Sequence, residues 1–374
     1  MPWPRSPRAS ALQWPARRRD GVTACAAQRV AVLAERRGAA GAQYLVVRGD
    51  QTEVEVCHGM ADAALARPVT PETTFNAYSI TKTFTAAAVL ALVESGRLDL
   101  DAPIGTAAAV PGLEAYGSVR DTLLHRAGFR NPNPLRWIHT AKEHKRFDEA
   151  VFVRMQIDAL RGSQRRLARS GYSNVGYLLL GRAIERAWNG SFVEAERALV
   201  IDSLQGRDDE RLSFAIDAPE RHARGHLRRF GLLNLLLGLL VDRSAITRGS
   251  DRRWLYLRLH HVNGSAYGGL MANARGLARF GQALLGSVPG LAPAVRAQML
   301  AVVPGPGPRR SLGWFSGRVG RHPWFAHAGG GLGGYGELRV YPDAGAVSVL
   351  MTNGAGLSDA RCLDGLDTLW LRSG

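Results

Sequence analysis

Tyr78-Ser79-Ile80-Thr81-Lys82 sets a serine one helical turn before a lysine, at the head of the apolar run Thr81 to Glu94. That run carries Phe84, Ala88, Ala91 and Leu92 at helical spacing and stops at Ser95-Gly96, so it reads as a helix with Ser79 and Lys82 on one face. Lysine is rare here: Lys82, Lys142 and Lys145 are three of 48 basic residues, the rest being arginine. Arginine keeps its proton at usable pH, whereas a desolvated lysine can lose it and take one from a neighbouring hydroxyl. With 20 serines in 374 residues, S-x-x-K arises by chance about 0.16 times, so the pair alone is suggestive. The plainer reading makes Ser79 a helix cap and Lys82 a solvated first-turn residue.

Outward from this run, Ala42 to Val47 and Thr52 to Cys57 flank a Gly49-Asp50 turn and read as a hairpin. Three more strand-like runs stand near the other end: Ser311 to Phe315, Glu337 to Tyr341 and Ala346 to Met351. Between them the pattern is largely helical, clearest over Gly176 to Trp188 and Ala274 to Leu285, and Leu357 to Leu371 reads as a closing helix. The expected fold class is α/β of the α+β kind: one antiparallel sheet built from N- and C-terminal strands, flanked by helices, with a mainly helical subdomain inserted. The expected organisation is a flexible basic arm over 1–27, then one domain over 28–374. Its sheet part covers about 28–97 and 311–374 and its helical part about 98–310, with Pro304 to Pro308 as the return linker.

A composition of 46% hydrophobic and 21% charged residues argues against disorder. A net charge of +16 would suit a polyanion, but the arginines are scattered in short runs without interleaved aromatics, so no nucleic acid partner is expected. Cys25, Cys57 and Cys362 form no C-x-x-C, which indicates neither a disulfide framework nor a zinc site. Val22 to Ala27 follows three arginines, but Gln28 and Arg29 interrupt it; no export signal is read and a cytoplasmic location is expected, a misassigned start codon being the route to a periplasmic one. Phe230 to Val241 is mostly apolar but falls short of the roughly 18 residues that span a bilayer. It reads first as a buried helix or flap, and second as a membrane-surface contact beside Arg228, Arg229 and Arg243.

Two further segments complete a chemical set. Tyr172-Ser173-Asn174 precedes the helix at Gly176, and His327-Ala328-Gly329 opens a glycine-dense loop ahead of the Glu337 strand. Together they supply a nucleophile, two proton carriers and a place for backbone donors. In this order, and with the flanking text FNAYSITKTFTA, LLHRAG, YSNVGYLLLG, AYGGLMANARGLARFGQALL and GELRVYPDAG, the chain resembles the serine beta-lactamase and penicillin-binding-protein superfamily. The likeness is to the side that holds class C beta-lactamases, D-aminopeptidases and related esterases, and it covers roughly residues 40 to 371. The family's motifs are S-x-x-K, Y-x-N and K/H-x-G.

The resemblance implies a beta-lactamase/transpeptidase-like fold and a serine hydrolase that acts on an ester or amide through an acyl-enzyme on Ser79. Lys82 and Tyr172 would share base and proton-shuttle work, and which of them takes the proton stays open. Asn174 would hold the lysine and the substrate amide; the N–H groups of Ser79 and of Gly330, just past Gly329, would hold the oxyanion. No cofactor and no metal are implied. The enzymatic alternative is a beta-lactamase or D-alanyl-D-alanine carboxypeptidase, and the alternative of another class is a non-catalytic binding protein of the same fold.

Two departures bear on substrate. Arg165 to Gly171 replaces the Pro-Gly and aromatic that many relatives carry before Y-x-N. His327 stands where a lysine usually keeps a positive charge, and histidine, with an ordinary pKa near 6.5, is mostly neutral at pH 7. The expected shift is from carboxylate-bearing beta-lactams toward esters or amides. Two patterns are set aside: the glycines of Gly331 to Gly336 lead into a strand rather than a dinucleotide-binding helix, and His222 and His226 have helical zinc spacing but Ala223 where that motif needs glutamate.

Overall fold

In β1 (Gly41–Arg48) Tyr44 and Val46 face one side and Leu45 and Val47 the other, and both sides are buried, so this strand lies inside a sandwich of layers. The computed structural model describes residues 16–113, 115–131, 137–163, 171–230, 243–354 and 362–371. Outside them lie residues 1–15 of the expected arm, Arg165 to Ser170, the run after Phe230 as far as Val241, and Leu357 to Arg361. Among the described residues the main sheet is completed by β2 (Gln51–Asp62), β3 (Arg67–Pro68), β4 (Arg310–Ser311), β5 (Trp314–Val319), β6 (His322–Gly331), β7 (Gly334–Tyr341) and β8 (Ala346–Thr352). Its order is β4-β5-β6-β7-β8-β1-β2-β3, antiparallel throughout. The last strand thus pairs with the first, Tyr44 opposite Leu350, and the two ends of the chain close one sheet as expected.

One face is covered by α1 (Ala16–Arg37) and α8 (Cys362–Leu371). Residues 16–27 are therefore helical, which corrects the expected flexible arm over 1–27. Ala26, Val30 and Ala34 recur every four residues as a buried stripe against Tyr44, Val46 and Leu350, while Gln28 and Arg29, which break the apolar run in the text, point outward. Under α8 lies a polar cluster. The fully buried Arg339 donates to Glu337 (2.6 Å) and Asp364 (2.6 Å), and Asp367 accepts from Tyr44 (3.0 Å), Ser348 (2.6 Å) and Tyr341 (2.5 Å).

The opposite face packs on α2 (Thr81–Glu94) and α7 (Ala274–Leu285), whose Phe84 and Phe280 rings stack at 3.9 Å. Gly281 lets α7 close onto the sheet, since a Cβ there would stand 2.6 Å from a Val347 methyl. The inserted region adds α3 (Val119–Leu123), α4 (Asn174–Trp188), α5 (Phe192–Glu196) and α6 (Ser265–Gly268), but it is less helical than expected. Among the described residues three small sheets cross it, for example Phe75–Asn76 with Met271–Ala272, and Ile138–Thr140 with His260–Val262. Strands of two to four residues are too short for alternation to show in the text. His226 belongs to the strand His226–Arg228, so the spacing from His222 does not place the two on a helix face.

Candidate active site

Tyr78 to Ile80 form a tight 3-10 turn that delivers Ser79 to the start of α2. Tyr78 is held at φ +46, uncommon for a residue with a side chain. Its ring is clamped between Gly331 and Gly334, and its hydroxyl donates to the Leu332 carbonyl (2.7 Å). Ser79 is half-buried, and Ile80 rather than Ser79 is the cap residue of α2.

Lys82 is 0% exposed, with Nζ 3.0 Å from Ser79 Oγ and 2.9 Å from the Tyr267 carbonyl oxygen. Burial holds its amine well below the usual lysine pKa. A neutral amine can donate to the carbonyl while its lone pair faces the serine hydroxyl. The rings of Tyr172, Tyr267 and Tyr177 lie 4.9, 5.1 and 5.4 Å from Nζ. Tyr172 arrives from the loop before α4 and is pushed above the ordinary tyrosine range by burial, which the neighbouring Ser79 side chain partly offsets, although 36% of the residue remains open to solvent. The hydroxyl and amine of one segment thus meet the phenol of a second, distant one.

Asn174 opens α4, but its expected hold on the lysine is replaced by the Tyr267 carbonyl of α6; the Asn174 Oδ1 is buried with no hydrogen-bond partner among the described residues. Tyr267 was legible only as flanking text, because a backbone carbonyl leaves no residue-type signature. Asn131, which was not singled out, ties the loop: its side chain donates to the Tyr172 carbonyl (3.0 Å) and accepts from the Asn174 N–H (2.7 Å).

His327, Gly329 and Gly330 lie within β6 rather than opening a loop, a correction whose cause is the ladder with β7, which runs on to Gly331 although pairing with β5 stops at Ala326. His327 is 2% exposed; its Nδ1–H donates to the Ala328 carbonyl (2.8 Å). Burial, with Lys82 as a second cause, pushes its pKa down to about 3, so the ring is neutral. Its Nε2 has no hydrogen-bond partner among the described residues. A Cβ at Gly329 would stand 2.2 Å from the Ala77 carbonyl oxygen and 2.9 Å from the Ser79 nitrogen, so only glycine lets β6 run this close to the Ser79 turn. Gly329→Ala is expected to lose about 1–3 kcal/mol of stability, measured by denaturant unfolding; an unchanged midpoint would show the contact to be loose.

The family model described as Beta-lactamase matches residues 24–367. Over 208 residues the chain is 29% identical to Esterase EstB of Burkholderia gladioli, a match that takes in 51% of this chain and 51% of that protein. The chain thus spans about half the length of the curated relative it matches. Among solved structures, a class C beta lactamase from Rhodobacter sphaeroides aligns with a TM-score of 0.70 at 19% identity, covering 93% of this chain and 99% of that one. The D-amino acid amidase from Ochrobactrum anthropi SV3, complexed with D-phenylalanine, aligns with a TM-score of 0.70 at 20% identity, covering 94% and 96%. These two share the fold. With the family model spanning all three motif segments and the expected sheet in place around them, the chain belongs to the beta-lactamase family.

Proposed function

We propose that the protein is a serine hydrolase that cleaves an ester or amide bond through a covalent acyl-enzyme on Ser79. The observation that carries this reading is the 3.0 Å approach of Ser79 Oγ to the buried amine of Lys82. Oγ bonds to the substrate carbonyl carbon as its proton passes to Nζ, and the N–H groups of Ser79 and Gly330 hold the resulting oxyanion. Collapse breaks the bond to the leaving group, which receives a proton through the Tyr172 hydroxyl. Water then attacks the acyl carbon, and Oγ departs with a proton.

Burial favours the uncharged form of both candidate bases. For lysine that form is the proton-accepting amine, and for tyrosine it is the proton-bearing phenol, which supports Lys82 as the base and Tyr172 as the relay. The three tyrosine faces around Nζ favour the ammonium that forms during transfer. The names of the esterase and amidase relatives agree with a carboxylic ester or amide as substrate. His327, neutral and enclosed, offers no cation to a substrate carboxylate, which supports simple esters over beta-lactams.

A fluorophosphonate probe is expected to label the wild type and not Ser79→Ala, and Ser79→Ala to lower turnover of a short-chain p-nitrophenyl ester at least ~1000-fold. Ester turnover is expected to exceed nitrocefin turnover. Faster nitrocefin cleavage would favour the beta-lactamase reading, and an unlabelled wild type would favour a non-catalytic binder.

A further inference from the structure

After α3 the chain passes beneath the Tyr172 loop, and His125 is the residue it presents there. Its backbone is left-handed, φ +55, a conformation that asparagine and histidine adopt more readily than most side-chain-bearing residues. The ring is buried and packs against Tyr172 at 4.4 Å, Tyr177 at 5.1 Å and Phe315 at 6.3 Å. Its Nδ1 accepts from the Ser173 N–H (3.2 Å). Burial first, and then nearby Lys82, hold its pKa well below that of an ordinary histidine, so no positive charge is placed beside the amine. The backbone of this segment is itself anchored, since the buried Arg310 donates to the carbonyls of Leu124 (2.5 Å) and His125 (3.4 Å). With Asn131 bonded to Tyr172 and Asn174, the segment 125–131 grips all three residues of the loop through their backbones. Within that segment His125 also packs on the phenol ring, nearer to it (4.4 Å) than Phe315 (6.4 Å) or His327 (6.2 Å).

We propose that His125 is a positioning residue for Tyr172: its ring fixes the phenol beside Ser79 and backs the Tyr172 and Tyr177 rings that screen Lys82 from water. The proposal rests on the reading of Ser79 as nucleophile. His125 acts through Tyr172 and carries no proton of the reaction.

Two substitutions separate its parts. His125→Asn suits the left-handed backbone and offers an oxygen where Nδ1 stands, but has no ring; His125→Gly keeps the backbone and loses both. With a short-chain p-nitrophenyl ester, kcat is expected to fall about 10-fold in the asparagine variant and about 100-fold in the glycine variant, with KM within about twofold. The acid limb of kcat/KM is expected to move up by about one pH unit in His125→Gly, because water reaching Lys82 relieves the desolvation that keeps its amine neutral. In a Tyr172→Phe background either change should alter kcat by less than about twofold, since the hydroxyl to be positioned is gone.

Losses equal in both backgrounds, or carried by KM with an unmoved acid limb, overturn the proposal. His125→Asn carries the test if thermal melts show that His125→Gly does not fold. A wild type that hydrolyses esters through Ser79 while ignoring His125 overturns this inference alone, whereas a wild type inert to esters and to fluorophosphonate overturns the functional reading with it.

Discussion

Lys82→Met is expected to lower ester turnover about 1000-fold while raising the melting temperature. The loss follows from removing the base, since general acid–base groups contribute about 10²- to 10⁴-fold. Lys82→Arg should not rescue it, because guanidinium keeps its proton. The gain in stability follows from linkage. In the unfolded chain this lysine titrates near 10.4, whereas in the fold burial lowers its pKa well below that. As pH falls from about 10.5, the unfolded state takes up a proton that the native state refuses, so wild-type stability declines until the lowered native pKa is passed. Methionine has no proton to refuse, and the gap in melting temperature should widen as pH falls over that window. Catalysis shares the same titration: wild-type kcat/KM should persist far below pH 10 and fall only where the buried amine protonates. An acid limb near pH 10, or an arginine variant with wild-type turnover, would show the amine to be solvated and the mechanism wrong.

Arg339→Leu should cost about 3–5 kcal/mol of stability without touching the Ser79 site. The guanidinium is fully buried between Glu337 and Asp367, which are 1% and 0% exposed, and Asp364 at the rim. Removing it leaves two carboxyl groups under α8 without their cation, the situation in which breaking a buried ion cluster is most damaging. Burial already raises both carboxyl pKa values and Arg339 counters it, so in the variant they rise further. A carboxyl whose folded pKa lies above its unfolded value loses stability as pH rises through that interval, so the deficit should be larger at pH 8 than at pH 5. Equilibrium unfolding in urea at both pH values measures this. A loss below about 1 kcal/mol, or one independent of pH, would mean that water reaches the cluster.

Legibility in the text tracked the range of the interactions. The hairpin before α2, α2 itself, α4 and α7 were readable because periodicity within a dozen residues reports the face a segment will bury. The strand β6 was not: HPWFAHAGGG has no clean alternation, and it is extended because β5 pairs with its first half and β7 with its second. The helix over residues 16–27 was missed for a related reason, since its small apolar stripe gains stability only against the sheet.

At the site the same division holds with sharper chemical consequences. Residue order was enough to name Ser79, Lys82, Tyr172, Asn174 and His327, because side-chain chemistry is local and its sequence in the chain is preserved in the text. Local spacing already set hydroxyl beside amine; folding alone brought the phenol to them, put the Tyr267 carbonyl where Asn174 had been expected, and set His125 under the phenol. It also stripped water from Lys82 and His327, and a proton affinity depends on the surrounding dielectric and neighbouring charge, which belong to the packed molecule rather than to any residue's name.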